Sequence, residues 1–182
     1  MFRSLFVAVV SSALIASAAA AAPTSLMKGH WSIGYEAGES GAVQIGIGAA
    51  DMTRIIVDVW VKNTKPGGEG SSVTGWSVGG AFHRYMSGMA TDHFAPFFGA
   101  GVDVSKTGVE DSKASFAVNG RFGGEAFVIE PLSIGGFIGV EYEKEGDTKG
   151  VVQGQPVTIK GPKYFSTVRS AITATLYWGG TK

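Results

Sequence analysis

Thr167-Val168-Arg169-Ser170-Ala171-Ile172-Thr173-Ala174-Thr175-Leu176-Tyr177-Trp178 separates into two interleaved sets. One set carries Val168, Ile172, Ala174, Leu176 and Trp178, and the other Thr167, Arg169, Ala171, Thr173 and Thr175. Side chains along a strand point alternately to opposite faces, so this period of two describes a strand with one apolar and one small, polar face. A strand of about 9–11 residues crosses a bilayer at a tilt, and this stretch is long enough.

Seven further segments repeat the pattern. In Leu132–Lys144, Ile134, Ile138, Val140 and Tyr142 oppose Ser133, Gly135, Gly139 and Glu141. In Ala114–Val128, Phe116, Val118, Phe122 and Ala126 oppose Asn119, Arg121, Gly123 and Glu125. Phe94–Lys106 sets Phe98, Ala100, Val102 and Val104 against Gly99, Gly101, Asp103 and Ser105. Ser72–Met86 sets Trp76, Val78 and Phe82 against Ser77, Gly79 and His83. Arg54–Asn63, Ala42–Ala49 and His30–Ala37 complete the set, the last two being short for a spanning strand. With Tyr164–Trp178, the count is eight.

A soluble sheet alternates too, so the question is which face lies inside. An eight-stranded barrel encloses a space only wide enough for side chains to fill. The apolar set holds Trp31, Trp76, Phe82, Phe98, Phe116, Phe122 and Trp178, whereas the other is rich in Gly, Ser and Thr. The bulky set therefore belongs outside, against lipid, and the small set inside. Charged residues make up 16% of the chain, against about 25% in ordinary soluble domains, which agrees with a large lipid-facing surface. The 28 glycines, about double the usual share, sit mostly within these segments rather than between them. The fold expected is all-β: an eight-stranded antiparallel up-and-down transmembrane β-barrel.

Connections support the same topology. Short turns at Ala50–Thr53, Ser87–His93 and Ile129–Pro131 fall on one side. Gly38–Gly41, Thr64–Ser71, Thr107–Lys113 and Glu145–Lys163 fall on the other, with the last two-proline stretch expected to be a mobile surface loop. Aromatics near the segment ends predict two interfacial girdles: Trp31, Tyr85, Phe94, Tyr177 and Trp178 on the short-turn side, and Trp60, Tyr142, Tyr164 and Phe165 on the other. At the start of the chain, Arg3, the apolar run Leu5–Ile15 and the alanines Ala16–Ala22 read as a secretory signal over residues 1–21, leaving 22–182 as one barrel domain.

The runs Pro96-Phe97-Phe98-Gly99-Ala100-Gly101-Val102, Gly120-Arg121-Phe122-Gly123-Gly124-Glu125-Ala126-Phe127 and Leu132-Ser133-Ile134-Gly135-Gly136-Phe137-Ile138-Gly139-Val140-Glu141-Tyr142 resemble the bacterial outer-membrane β-barrel domain family. Its members are small eight-stranded barrels similar to the OmpA transmembrane barrel. The resemblance covers about Gly29 to Trp178 and implies export through the inner membrane and residence in the outer membrane. It also implies contact with outer-membrane lipid and lipopolysaccharide, and with the barrel-assembly machinery during biogenesis. Family members usually end on an aromatic residue; here Gly179-Gly180-Thr181-Lys182 follows Trp178.

The lumen-facing set concentrates the charges. Glu36, Asp58, Asp103, Glu125 and Glu141 stand against Arg121, Arg169 and His83. Buried charges need partners, so this is read as a structural network that plugs the lumen rather than an ion path. The turn at Ile129–Pro131 pairs Arg121 near Gly139, leaving Glu141 a diagonal neighbour within reach of a long side chain. No cofactor or metal is expected, since His30, His83 and His93 are scattered, and no enzymatic activity is expected. A formal net charge of zero without a basic cluster argues against nucleic acid. The role expected is structural, in envelope integrity, or surface interaction. The alternatives are transport of a small solute or hydrophobic compound, and a soluble lipocalin-like periplasmic ligand binder.

Overall fold

The computed structural model describes residues 22–38, 41–64, 73–108, 112–152 and 155–180. The signal assigned to residues 1–21 and most of the Thr64–Ser71 loop lie outside the described residues. Among the described residues ten strands form: β1 (His30–Ala37), β2 (Ala42–Ala50), β3 (Thr53–Thr64), β4 (Val73–Tyr85), β5 (Phe94–Lys106), β6 (Ser115–Ile129), β7 (Leu132–Lys144), β8 (Thr148–Val152), β9 (Gln155–Ile159) and β10 (Lys163–Gly179). Eight close into a barrel in the order β1-β10-β7-β6-β5-β4-β3-β2, every neighbouring pair antiparallel. The seam is the ladder from His30↔Gly179 to Ala37↔Ile172, which leaves the closed sheet without an edge.

The alternation read from sequence sets the sidedness. Ile33, Val57, Phe98, Val118, Ile138 and Leu176 face outward and are exposed, Ile138 to 58%. Between them Ser32, Gln44, Asp58, Ser77, Asn119, Arg121, Ser133 and Thr175 are buried in the lumen. Register locks this arrangement, because a one-residue slip would exchange the two faces of a strand. In β6 the pairs Val102↔Val118 and Val118↔Tyr142 stack apolar groups on the outside, and Gly101↔Asn119 and Asn119↔Glu141 stack small or polar ones inside.

The loop Glu145–Lys163 departs from expectation. It contains its own antiparallel ladder, β8 on β9, from Thr148↔Ile159 to Val152↔Gln155. Runs such as Gly150-Val151-Val152 and Pro156-Val157-Thr158-Ile159 carry strand formers that the count of glycines and prolines obscured. The hairpin is tied to the neighbouring loop by a bridge between Ser112 and Thr148 and by Lys113 N–H donating to Asp147 O at 2.8 Å. The Asp147 carboxylate accepts from Gly161 N–H at 3.2 Å and from Lys160 at 3.3 Å.

At the short-turn end the chain enters through a single 3-10 turn, Thr24–Leu26, tucked under the barrel. Leu26 packs with Met52, Tyr85, Ala95, Phe97, Phe127, Phe137 and Tyr177 in one buried apolar cluster. Its carbonyl accepts from Met52 N–H at 2.9 Å. Met52 holds φ at 58°, the left-handed region that costs a non-glycine residue about 1 kcal/mol or more. The two-residue turn and the bond to Leu26 hold it there.

Candidate functional site

The lumen contains two polar layers, built differently. Nearer the short turns, Arg54 of β3 meets Glu125 of β6 at 3.0 Å, with both side chains almost wholly buried. Glu125 Oε1 also accepts from Tyr85 Oη at 2.6 Å, and Oε2 from Ser133 Oγ at 2.7 Å and from Tyr177 Oη. Arg54 Nη1 donates to Tyr85 Oη at 3.3 Å and to Tyr177 Oη, and its guanidinium carbon lies 5.3 Å from the Tyr177 ring centroid. Donors from four other strands thus converge on one carboxylate. His83 of β4 lies beside this layer, stacked on Phe97 with centroids 4.1 Å apart. Below it, the apolar cluster closes the barrel.

Nearer the long loops, Arg121 of β6 is the centre. Its Nε donates to Asn119 Oδ1 at 2.7 Å, and Asn119 Nδ2 donates to Asp103 Oδ2 at 2.8 Å. Arg121 Nη1 lies 3.9 Å from Glu36 Oε2, which accepts from Gln44 Nε2 at 2.6 Å. The guanidinium rests 4.9 Å from the Phe137 ring centroid. Above it opens a vestibule of about 510 Å³ lined by Glu36, Asp58, Asp103, Glu141 and Glu143, from four strands, with Trp60 and Tyr164 at its wall. Tyr164 Oη donates toward Glu143 Oε2 and Glu145 Oε1, each at 2.9 Å.

Lumen glycines are where these side chains lie. A β-carbon at Gly79 would collide with a carboxylate oxygen of both Asp58 and Asp103, so the two acids converge over that residue. One at Gly101 would stand 2.9 Å from Asn119 Oδ1 and 3.0 Å from Arg121 Nη2, and one at Gly46 2.9 Å from Arg54 Nε. Glycine in a strand is otherwise a cost in entropy. Here it makes the space that a narrow eight-stranded lumen needs to hold Arg and Asp side chains.

Of the charges assigned to the lumen from sequence, Glu36, Asp58, Arg121 and Glu125 are buried there and Asp103 and Glu141 are half-buried at the vestibule. Arg121 does pair in register with Gly139. The side chain of Arg169 lies outside the described residues, although its backbone pairs with Gly139 of β7. Arg54 was missed: it begins its segment, two residues from Asp58's next inward neighbour, and parity alone places it inside.

Four aromatics do not join the girdles expected of them. Tyr85 and Tyr177 are buried in the lumen around Glu125, and Trp60 and Tyr164 line the vestibule. Alternation explains the error. Tyr177 and Trp178 are adjacent, as are Tyr164 and Phe165, so only one of each pair can face outward. Trp178 pairs with Trp31 on the outside, and Phe165 with Tyr142.

Comparison with known proteins adds one structure. No family model matches the chain, and no curated protein does. The crystal structure of Neisserial surface protein A (NspA) matches over 81% of this chain and 92% of its own, at 14% sequence identity and a TM-score of 0.43. The closed ladder of eight strands itself makes the fold a barrel.

Proposed function

We propose that the chain is a small outer-membrane β-barrel, plugged by its own side chains, whose role is structural in the envelope or presents the β8–β9 hairpin and the other long loops at the surface. The observation that carries this reading is the inverted sidedness. Large apolar groups such as Ile33, Val57, Phe98, Phe116 and Ile138 stand exposed on all sides of the barrel, while its interior is polar and charged. A monomeric soluble protein rarely exposes a contiguous apolar patch beyond a few hundred Å², and a closed barrel is one of the two backbone arrangements that satisfy every polar group in lipid. The short-turn end would face the periplasm and the long loops the exterior, the usual asymmetry of such barrels.

The layered lumen supports a plug over a pore. A solute entering the vestibule meets the Arg121 layer, then the Arg54–Glu125 layer, then the apolar floor. Lipopolysaccharide and phospholipid are the surrounding partners on this reading, and the assembly machinery a transient one. A soluble lipocalin-like binder would need the opposite arrangement, with an apolar cavity inside a polar wall.

Refolding into lipid vesicles tests the reading. Folded protein is expected to run differently from boiled protein on a detergent gel and to give no stable large conductance. Val118→Arg, on the outer face of β6, is expected to lower stability by about 2–4 kcal/mol, while Val118→Leu is near neutral. Recovery in a detergent-free soluble extract, with Val118→Leu strongly disruptive, would overturn it.

A further inference from the structure

Charge on the outer face of the barrel is confined to its ends. Among the described strand residues that follow the outward alternation, the charged ones are Lys106, Lys144 and Lys163 at the long-loop end and Arg84 at the short-turn end. Every described strand carboxylate faces the lumen. Arg84 is already served by the protein, donating to Asp51 O at 3.0 Å and Thr53 Oγ1 at 2.6 Å. The side chains of the three lysines form no ion pair or hydrogen bond with any described residue.

Their placement is specific. Lys144 and Lys163 are direct cross-strand partners between β7 and β10, both exposed. Like charges directly opposite each other repel, and nothing in the fold requires two lysines there. On its other side Lys144 pairs with Phe116, and the next outward pair below is Phe165↔Tyr142. Lys106, two strands away on β5, pairs with Trp76 and also borders a cavity of about 350 Å³ shared with Lys113 and Lys149. The carboxylate at that cavity, Asp147, is taken by Lys113 at 3.6 Å and Lys160 at 3.3 Å. A row of aromatics is thus capped by uncompensated ammonium groups at one height on one side of the barrel.

We propose that Lys106, Lys144 and Lys163 form a seat for the phosphate groups of an anionic lipid in the leaflet at the long-loop end. The inference rests on the membrane-spanning reading and adds to it a partner and a place. Acyl chains would run down the aromatic and aliphatic wall of Phe116, Tyr142 and Phe165. The phosphates would sit between Lys144 and Lys163, turning their repulsion into shared attraction, while the lysine stems lie along the apolar surface. The β1–β3 side, whose described outward residues include no charge, would hold ordinary lipid.

The test is urea unfolding of the full mature chain in zwitterionic vesicles and in vesicles containing a quarter anionic phospholipid. Wild type is expected to unfold at higher urea in the anionic vesicles, with the shift abolished by high salt. Lys144→Gln/Lys163→Gln is expected to lose more than about half of that shift, since each lysine near an anionic surface contributes comparably. Lys28→Gln removes a charge at the short-turn end, away from the seat, and is expected to keep it. Equal shifts in all three proteins, or a shift reproduced by inorganic phosphate in zwitterionic vesicles, would overturn the proposal while leaving the barrel reading intact. Failure of wild type to insert in either vesicle, read from unchanged gel mobility, would instead refute the membrane reading on which it rests.

Discussion

The two halves of the lumen use the same strands to opposite ends. Toward the short turns, one carboxylate, Glu125, takes Arg54 and the hydroxyls of Tyr85, Ser133 and Tyr177, and aromatic rings fill what is left. Toward the long loops, five carboxylates line a vestibule above Arg121, Glu36 lying 3.9 Å from that arginine, and open volume replaces packing. A dry layer has to satisfy each charge in place, because desolvation leaves no other partner. A wet layer can leave acids in excess, because water screens them. The first half is therefore a seal whose parts depend on one another, and the second a solvated cup that tolerates change.

The seal predicts the largest effect. Glu125→Ala strands a buried guanidinium and two phenols and is expected to cost about 3–5 kcal/mol in urea unfolding from vesicles. A loss below about 1 kcal/mol would mean that water reaches Arg54, and the contrast between the halves would fail. Gly79→Leu comes next. It forces a side chain onto the converging carboxylates of Asp58 and Asp103, at about 1–3 kcal/mol, the range for overpacking. Glu141→Gln, in the cup, is expected to change stability by less than about 1 kcal/mol, and a larger cost would mark the cup as a second seal.

The smallest effect is a dependence on pH outside the barrel. Gly161 N–H, then Lys160 and Lys113, hold the Asp147 carboxyl below the usual carboxylate range. A carboxyl lowered in the folded state contributes its stabilisation above the unfolded value, near pH 3.9, and loses it as pH falls through the lower folded value. Protection of the β8 and β9 amides, relative to their intrinsic exchange rates at each pH, is expected to fall below about pH 4 while protection of barrel amides does not change. A uniform loss of protection would show that the hairpin is not docked through Asp147.

The barrel was legible in the sequence because its defining signal, alternation, is local and repeated eight times. β1, β5 and β7 have the bounds that alternation alone gives, and the other barrel strands differ by one residue at one or both ends. What escaped was non-local or masked by a competing rule. Aromatic residues near strand ends suggest a girdle, but parity assigns Tyr85 and Tyr177 inward, and parity is the stronger constraint. The Arg54–Glu125 pair joins β3 to β6 across the lumen, a contact that no spacing along the chain encodes. The hairpin in the last loop was hidden by Gly and Pro, which also occur in strands whose outer edge is unpaired.

Sidedness is the central claim, and a cysteine scan of β6 tests it most directly, since the chain contains no cysteine of its own. Single cysteines at 117, 118, 119, 120 and 122, labelled with a fluorophore after refolding into vesicles, would be exposed to a quencher carried on lipid acyl chains. Val118→Cys, Gly120→Cys and Phe122→Cys are expected to be strongly quenched, and Ala117→Cys and Asn119→Cys weakly. Quenching without alternation, or strongest at 117 and 119, would contradict a barrel whose apolar face meets lipid.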